Sequence, residues 1–350
     1  MVISKTPFRM SFFGGGTDFP LFYNQYGGAV ISATIDKYAY VNVRDLPSFF
    51  DYNNEIIYSK IEQVKNEKDI IHPLVRLAME YYDIHNIRLT YDADLPARTG
   101  LGTSSSFAIG MLNVFNKLKK IDINKYKLAN DAIYLERFLC NEKGGVQDQI
   151  AASFGGLNII TFLKKDELQE NTNLYTKNYK TDDLSFLNYK IEKINISEDK
   201  LKSLNFSLLL YFTGISRNSF EVQEKTEKSL KDKTNELIEM KSLVYEAKNI
   251  LESNSDNINE FGKLLNHTWE LKRGLNNSIS TSYIDELYSK ALTNGALGGK
   301  LLGAGGGGFL LFFVPKEKRN IFREKFNFLL EVPFSFETQG TQIIYDNENF

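Results

Sequence analysis

The chain has one cysteine, Cys140, among 350 residues. A single thiol excludes an internal disulfide framework and fits a reducing compartment. Charge of one sign is also lacking: 42 basic and 44 acidic residues leave a net charge of −2. Nucleic acid and anionic membrane surfaces call for a sustained basic field, which this balance does not supply. The lysines between Lys117 and Lys127, and between Lys225 and Lys233, alternate with acidic or apolar residues and read as solvated helix faces. Long apolar runs are missing as well. Nothing before the first glycines is long enough for a signal peptide, and Phe309–Val314 has the length of a strand, far short of a bilayer span. These absences predict a soluble, cytoplasmic protein with no membrane and no nucleic-acid partner. The three histidines, His72, His85 and His267, show no metal-binding spacing.

What is present is ample material for packing, with 42% apolar residues and many Phe and Tyr. The length is large for one core and fits two medium domains in contact. The most informative stretch runs P-A-R-T-G-L-G-T-S-S-S, from Pro96 to Ser106. A strand-like segment, Ile87–Tyr91, precedes it, and an apolar-periodic helix, Phe107–Leu118, follows. Unpaired amide N–H groups and the positive end of the helix dipole would converge on this loop, a setting for a phosphate chain. Gly100 and Gly102 would let backbone approach a ligand, and Thr103, Ser104, Ser105 and Ser106 add hydroxyls for capping or for a metal-bound phosphate. A plain helix cap is the competing reading of so short a glycine pair. The strand–loop–helix context favours a nucleotide site.

Two commoner nucleotide loops are excluded. No G-x-x-x-x-G-K-[ST] occurs. A G-x-G-x-x-G occurs at Gly303, Gly305 and Gly308, but it precedes a strand-like run, Phe309–Val314, where a dinucleotide site would need a helix.

The P-x-x-x-G-L-G-[ST]-S pattern resembles the central ATP-binding motif of the GHMP kinases, a family of small-molecule kinases. Three further segments resemble other motifs of that family in the correct order: Thr6–Asp18 (T-P-F-R-M-S-F-F-G-G-G-T-D), Gly144–Gln149 (G-G-V-Q-D-Q) and Gly295–Phe309. Together they span Pro7 to Phe309. The segments Arg9–Pro20 and Gly27–Val41 are similar to the branch of the family that phosphorylates D-glycero-D-manno-heptose 7-phosphate. Fucokinase-like members share the G-G-x-T-D core.

The resemblance implies an α+β chain: an N-terminal GHMP domain over 1–185, a ferredoxin-like C-terminal domain over 186–350, and an active site in the cleft. It implies ATP and Mg²⁺, and a small sugar phosphate as the other substrate. The expected reaction forms an anomeric phosphate, the 1,7-bisphosphate, on the way to nucleotide-activated heptose for surface polysaccharide. Neutral-sugar kinases of the fucose or galactose type, and a catalytically silent sugar-and-ATP sensor, are the alternatives. Oligomeric state is left open, a homo-oligomer included.

Residue roles follow motif by motif. Asp148 is implied as the base that accepts the sugar hydroxyl proton, although a loop aspartate can simply cap a turn. Arg9 is implied beside it, stabilising developing negative charge, against a reading as a surface arginine. Pro96, Arg98, Thr99, Gly100, Leu101, Gly102, Thr103, Ser104, Ser105 and Ser106 are implied to hold ATP. Ser104 and Glu136 are the implied magnesium ligands, Glu136 by its twelve-residue spacing from Asp148. An exposed helix glutamate paired with Arg137 or Lys143 is the competing reading. Gly15, Gly16, Thr17, Asp18, Gly144, Gly145, Gly305 and Gly306 are implied to line the sugar site, with Asp18 either gripping hydroxyls or stabilising its turn. A phosphate on the substrate needs a second anion site, for which Arg217, Lys272 and Arg273 are candidates.

Periodicity supplies the rest. Ala29–Ile35, Tyr38–Val43, Leu157–Phe162 and Phe206–Phe212 read as strands. Pro73–Tyr82, Leu128–Phe138 and Ile258–Leu271 read as helices, and so does the stripe Leu237, Met240, Val244, Ala247 and Leu251. A further helix after Ser282 would be capped by it and stopped at Gly295. The polar stretch Lys164–Lys202 reads as an exposed crossover near the domain boundary, and Trp269 as core or cleft wall.

Overall fold

Val2–Phe13 (β1) and Gly28–Asp45 (β2) pair antiparallel and form the spine of a nine-stranded sheet. The two expected strands Ala29–Ile35 and Tyr38–Val43 are one: the register jumps from Pro7↔Tyr38 to Phe8↔Ile35, so Asp36 and Lys37 form a bulge rather than a turn. Asn54–Ile57 (β3) and Ile61–Val64 (β4) form a hairpin that Ile87–Ala93 (β5) connects to β2. Leu157–Phe162 (β6) pairs with the first half of β2, and Tyr189–Lys193 (β7) with β6. A second, four-stranded antiparallel sheet contains Leu208–Phe212 (β8), Gly298–Leu301 (β9), Phe309–Phe313 (β10) and Leu330–Glu331 (β11), in the order β11-β8-β10-β9. The chain then returns to the first sheet, with Phe336–Glu337 (β12) on β2 and Gln342–Asp346 (β13) on β1. This computed structural model describes residues 1–167, 179–181, 184–215, 219–255 and 257–347.

The helices on the N-terminal side are Pro20–Tyr26 (α1), Pro73–Tyr82 (α2), Thr103–Leu118 (α3), Lys125–Tyr134 (α4) and Gln147–Phe154 (α5). Helix α3 starts four residues before the expected Phe107, so its hydroxyl run forms the first turn instead of a loop. It lies close on β1 because Gly110 carries no side chain: an added Cβ would stand 2.9 Å from both Ser4 Oγ and Thr6 Oγ1. Ser106 Oγ donates to Pro7 O at 3.0 Å and fixes that first turn beside the strand. Helix α4 does not run on to Phe138; Leu135–Leu139 is a single π-helical turn.

Glu198–Ser207 (α6), Ser219–Ser229 (α7), Thr234–Glu252 (α8), Asn259–Arg273 (α9), Ser282–Thr293 (α10) and Arg319–Lys325 (α11) complete the described helices. The strand expected from Phe206 begins only at Leu208, because α6, capped by Ser197, continues through Ser207. Thr281, not Ser282, caps α10 by accepting from Ile284 N. Strand β9 escapes sequence patterning because it opens with two glycines, and Gly298 needs that identity: a Cβ would stand 2.1 Å from Gly262 O of α9. One apolar cluster joins Phe12, Phe13 and Ile31 of the large sheet, Val244, Phe261 and Leu265 of α8 and α9, and Leu210 and Phe313 of the small sheet. Trp269 is fully buried in a second cluster with Tyr211 and Phe312. No helix among the described residues is long and apolar enough to cross a membrane.

Candidate active site

Arg9 organises the site from β1. Its backbone N–H donates to Leu101 O at 3.1 Å, locking the Pro96–Ser106 segment to the strand. Its guanidinium forks onto Asp148, Nε to Oδ1 at 2.7 Å and Nη2 to Oδ2 at 2.6 Å, while Nη1 donates to Gly100 O at 2.7 Å. This is the bidentate geometry in which an arginine fixes a carboxylate in plane. The arginine is buried, but the Asp148 side chain keeps 23% of its surface, so its oxygens remain reachable from the cleft. Asp148 belongs to the first turn of α5 rather than to a loop.

Asp18 closes the same cavity from the first glycine turn. Oδ1 accepts from Gly16 N at 2.9 Å, and Oδ2 accepts from Gln147 Nε2 at 2.9 Å. Burial pushes its carboxyl pKa up, and the charge of Asp148 adds to that. Gly145 must lack a side chain here, since a Cβ would overlap Asp18 Oδ2 at 1.7 Å. Gly144, at φ 136°, faces Gln223 of α7. The Thr17 hydroxyl is fully buried and engages the carbonyls of Gly14 and Ala29, each at 2.8 Å. It shapes the turn; Gly15, Gly16, Asp18, Gln147 and Asp148 line the cavity itself.

Two lysines approach from the C-terminal half. Lys272 of α9 is buried in the cavity wall and donates to Gly303 O at 2.5 Å. Burial and the charge of Arg9 push its pKa down to about 8, against the opposing pull of Asp18 and Asp148. Lys300 of β9 donates to Phe12 O at 2.7 Å, and burial lowers its pKa strongly. The glycine loop between β9 and β10 sits beneath. Gly306 N donates to Ile279 O at 2.9 Å, and a Cβ on Gly305 would stand 2.6 Å from Ile279 Cα. Both residues pack this loop on its neighbour, while Gly303 reaches the cavity. The strand–loop–strand order agrees with exclusion of a dinucleotide site.

The N-terminus of α3 carries the oxygen-rich part. Ser104 Oγ donates to Glu136 Oε1 at 3.0 Å, Ser105 Oγ to Oε2 at 2.8 Å, and Gln149 Nε2 to Oε2 at 2.5 Å. Glu136 comes from the π-helical turn, a distortion that recurs at functional sites because it re-aims side chains. It is buried, not exposed and paired with Arg137 or Lys143. Burial, reinforced by the charge of Glu142, raises its pKa well above the usual carboxylate range. A buried carboxylate with no salt-bridge partner among the described residues and two serine hydroxyls on it is a hard-oxygen set that fits Mg²⁺. Among the described residues no cluster of three His, Cys, Asp or Glu offers a complete metal cage, so an ion here would take its other ligands from phosphates and water.

The remaining expected residues fall less centrally. Leu101 is fully buried core, and Thr99 Oγ1 donates to Pro96 O at 2.7 Å. Thr103 is buried in the first turn of α3; Pro96 and Arg98 are exposed, Arg98 at φ 63°. Gly102, at φ 72°, lets α3 begin against the Arg9 side chain, 3.2 Å from its Cγ to a built Cβ. Arg273 points outward to an ion pair with Asp285 at 3.2 Å and does not line the cavity. Arg217 lies outside the described residues. Sequence reading missed Gln147, Gln149 and Lys300. The glutamines flank Asp148 in the G-G-V-Q-D-Q string, and Lys300 is the one charge in an otherwise glycine and apolar run.

Comparison with known proteins agrees with this geometry. The GHMP kinases N terminal domain matches residues 69–156, and the GHMP kinases C terminal domain matches residues 247–331. A D-glycero-alpha-D-manno-heptose 7-phosphate kinase of Campylobacter jejuni is 26% identical, over 97% of this chain and 97% of the relative. A galactokinase of Pyrococcus furiosus is 26% identical over 90% of this chain and 89% of that protein. Among solved structures, a D-glycero-D-manno-heptose 1-phosphate kinase from Bacteroides thetaiotaomicron superposes with a TM-score of 0.75 at 24% identity, covering 99% and 100% of the two chains.

Proposed function

Because the chain carries both domains and belongs to the GHMP kinases, we propose that it transfers the γ-phosphate of ATP to the anomeric hydroxyl of D-glycero-D-manno-heptose 7-phosphate. That it is an ATP-dependent sugar kinase follows from the family and its relatives; the acceptor and the oxygen are the proposal. The observation that carries the chemistry is the Arg9–Asp148 fork, whose carboxylate is partly open to a cavity that Lys272 also lines. The relative from Campylobacter jejuni, matched from end to end, supports the heptose phosphate.

Asp148 orients the attacking hydroxyl and accepts its proton. Arg9 holds that carboxylate in plane and presents positive charge to the phosphoryl group in flight. Phosphoryl transfer asks chiefly for in-line placement and charge stabilisation, which these groups provide without a covalent intermediate. The first-turn amides of α3 cradle the triphosphate. Ser104 and Glu136 would hold Mg²⁺, which neutralises phosphate charge when bound. Lys272, sharing the reacting end of the cavity with Arg9 and Asp148, suits the transferring phosphate better than a phosphate six carbons away. That leaves the substrate's own phosphate without a cation from Lys272 or Arg273, an observation that favours a neutral-sugar kinase as the second reading.

The test is ADP release with purified protein, ATP and magnesium, against heptose 7-phosphate, mannose, galactose and L-fucose, with phosphorus NMR on the product. Turnover confined to the heptose phosphate, with a new anomeric phosphate, is expected. Preference for a neutral sugar would overturn the substrate and keep the kinase. A sensor would release no ADP with any of them. A place in surface-polysaccharide synthesis rests on the first outcome.

A further inference from the structure

A second cavity, about 410 Å³, lies between α6, β8, α11 and the segment 331–336. It shares no lining residue with the catalytic cavity. Its volume falls in the range of small-molecule sites. The walls are largely apolar, from Leu201, Phe206, Leu210, Val332 and Phe334.

One charge in it is unanswered. The Arg319 guanidinium lies 4.4 Å from the ring centroid of Phe206, and its Nε and Nη1 are shielded from solvent with no acceptor among the described residues. The other charges are matched. Arg323 Nε donates to both oxygens of Glu331, at 3.1 and 2.9 Å, and Tyr211 donates its hydroxyl to the same carboxylate at 3.2 Å. Lys202 pairs with Glu198 at 2.7 Å. The cavity therefore holds an excess positive charge beside an aromatic ring. Buried donors without acceptors are rare in folded proteins because the desolvation is not recovered, and burial together with Arg323 lowers the pKa of Arg319.

We propose that this cavity binds an organic anion, whose carboxylate or phosphate accepts from Arg319 Nε and Nη1 and whose apolar body lies along Phe206 and Phe334. A purely inorganic anion would leave the apolar walls uncovered, and a neutral apolar molecule would leave the guanidinium unsatisfied. The inference is independent of the sugar that the enzyme phosphorylates.

The probe is anilinonaphthalene sulfonate, an aromatic anion that fluoresces when its rings leave water. Titrated into the intact protein with ATP and magnesium saturating, it should bind saturably at one site. Octanoate or phenyl phosphate should displace it, and octanol should not. Arg319→Gln should weaken binding roughly tenfold or more, the usual loss when a charged hydrogen bond is removed. Its melting temperature should change little, since the two shielded N–H groups have no acceptor to lose among the described residues, and ADP release should be unchanged. Phe206→Ala, at a ring 45% exposed, should weaken binding as well and serves if the arginine variant does not fold. Displacement by octanoate alone would identify a carboxylate head, and by phenyl phosphate alone a phosphate. Equal affinity in well-folded Arg319→Gln, displacement by octanol, or displacement by neither anion would each overturn the site.

Discussion

Asp148 is held by two hydrogen bonds from one guanidinium, so its position does not depend on its charge alone. Asp148→Asn keeps an acceptor oxygen for Arg9 and removes the proton acceptor for the sugar. Loss of a general base costs about 10²–10⁴-fold, and kcat should fall by that much while KM for ATP changes little. Steady-state ADP release decides it: kcat within tenfold of the wild type would remove Asp148 from the base role. Lys272 carries a pH dependence whose sign is fixed by its environment. Burial and Arg9 lower its pKa to about 8, below the lysine value of 10.5, so above that pH the folded protein loses a proton that the unfolded chain keeps. Stability therefore rises with pH between the two values. Activity runs the other way, because the neutral amine no longer attracts phosphate. The ratio kcat/KM for ATP, which reports the free enzyme, should fall up to tenfold per pH unit above about 8. In Lys272→Arg that fall should vanish, since a guanidinium stays charged, even if the plateau is lower. A flat wild-type profile, or an identical fall in the arginine variant, would take Lys272 out of the phosphate-binding set.

At the scale of elements, the strand–loop–helix order around Gly100 was legible, because turn residues between a strand period and a helix period leave few alternatives. What else the glycines do was not. Beside the ligand approach that the sequence suggests for Gly100, its φ is +88° and a Cβ would stand 2.3 Å from Leu302 O. The missing side chain lets two glycine loops, distant in sequence, touch, and no local pattern reports such a contact. The same limit hid β9, whose glycines suppress the strand signal, and Lys300, whose burial depends on β1 lying above it. Glu136 was placed by its spacing from Asp148, but the π-helical turn that aims it has no signature in apolar periodicity. Gly100→Ala should therefore act as a structural lesion, costing about 1–3 kcal/mol through backbone strain and overlap and raising KM for ATP. Gly15→Ala, whose built Cβ has nothing nearer than 3.7 Å, should unfold close to the wild type. Urea melts of the two variants settle it; similar midpoints would mean that the loops separate at little cost.

For the whole molecule, the cleft depends on two sheets keeping a fixed relation, because Arg9 and Asp148 come from one half while Lys272 and the glycine loop come from the other. The apolar cluster that spans β1, α9 and β10 supplies that relation. Phe261 of α9 is its pivot, fully buried, with its ring edge-on to Phe12 at 5.5 Å and to Phe13 at 5.0 Å. The return of β12 and β13 to the large sheet ties the end of the chain to its beginning, so the large sheet is not complete without strands from the C-terminal half. Apolar periodicity revealed the helix that carries Phe261 but not its place between two sheets, since that depends on strands far away in sequence. Phe261→Ala should cost about 3–5 kcal/mol, the usual loss for a buried phenylalanine whose space does not refill. If the sheets fold as one unit, the loss should appear as a single transition moved to lower urea. Trp269, the only tryptophan in the chain, packs in the C-terminal half and reports that half by fluorescence, whereas far-ultraviolet circular dichroism reports both. Coincident curves in the variant would show that the cluster couples the halves throughout unfolding. A fluorescence transition well separated from the dichroism transition would mean that each half holds its own fold, and that the cleft is a hinge between independent domains.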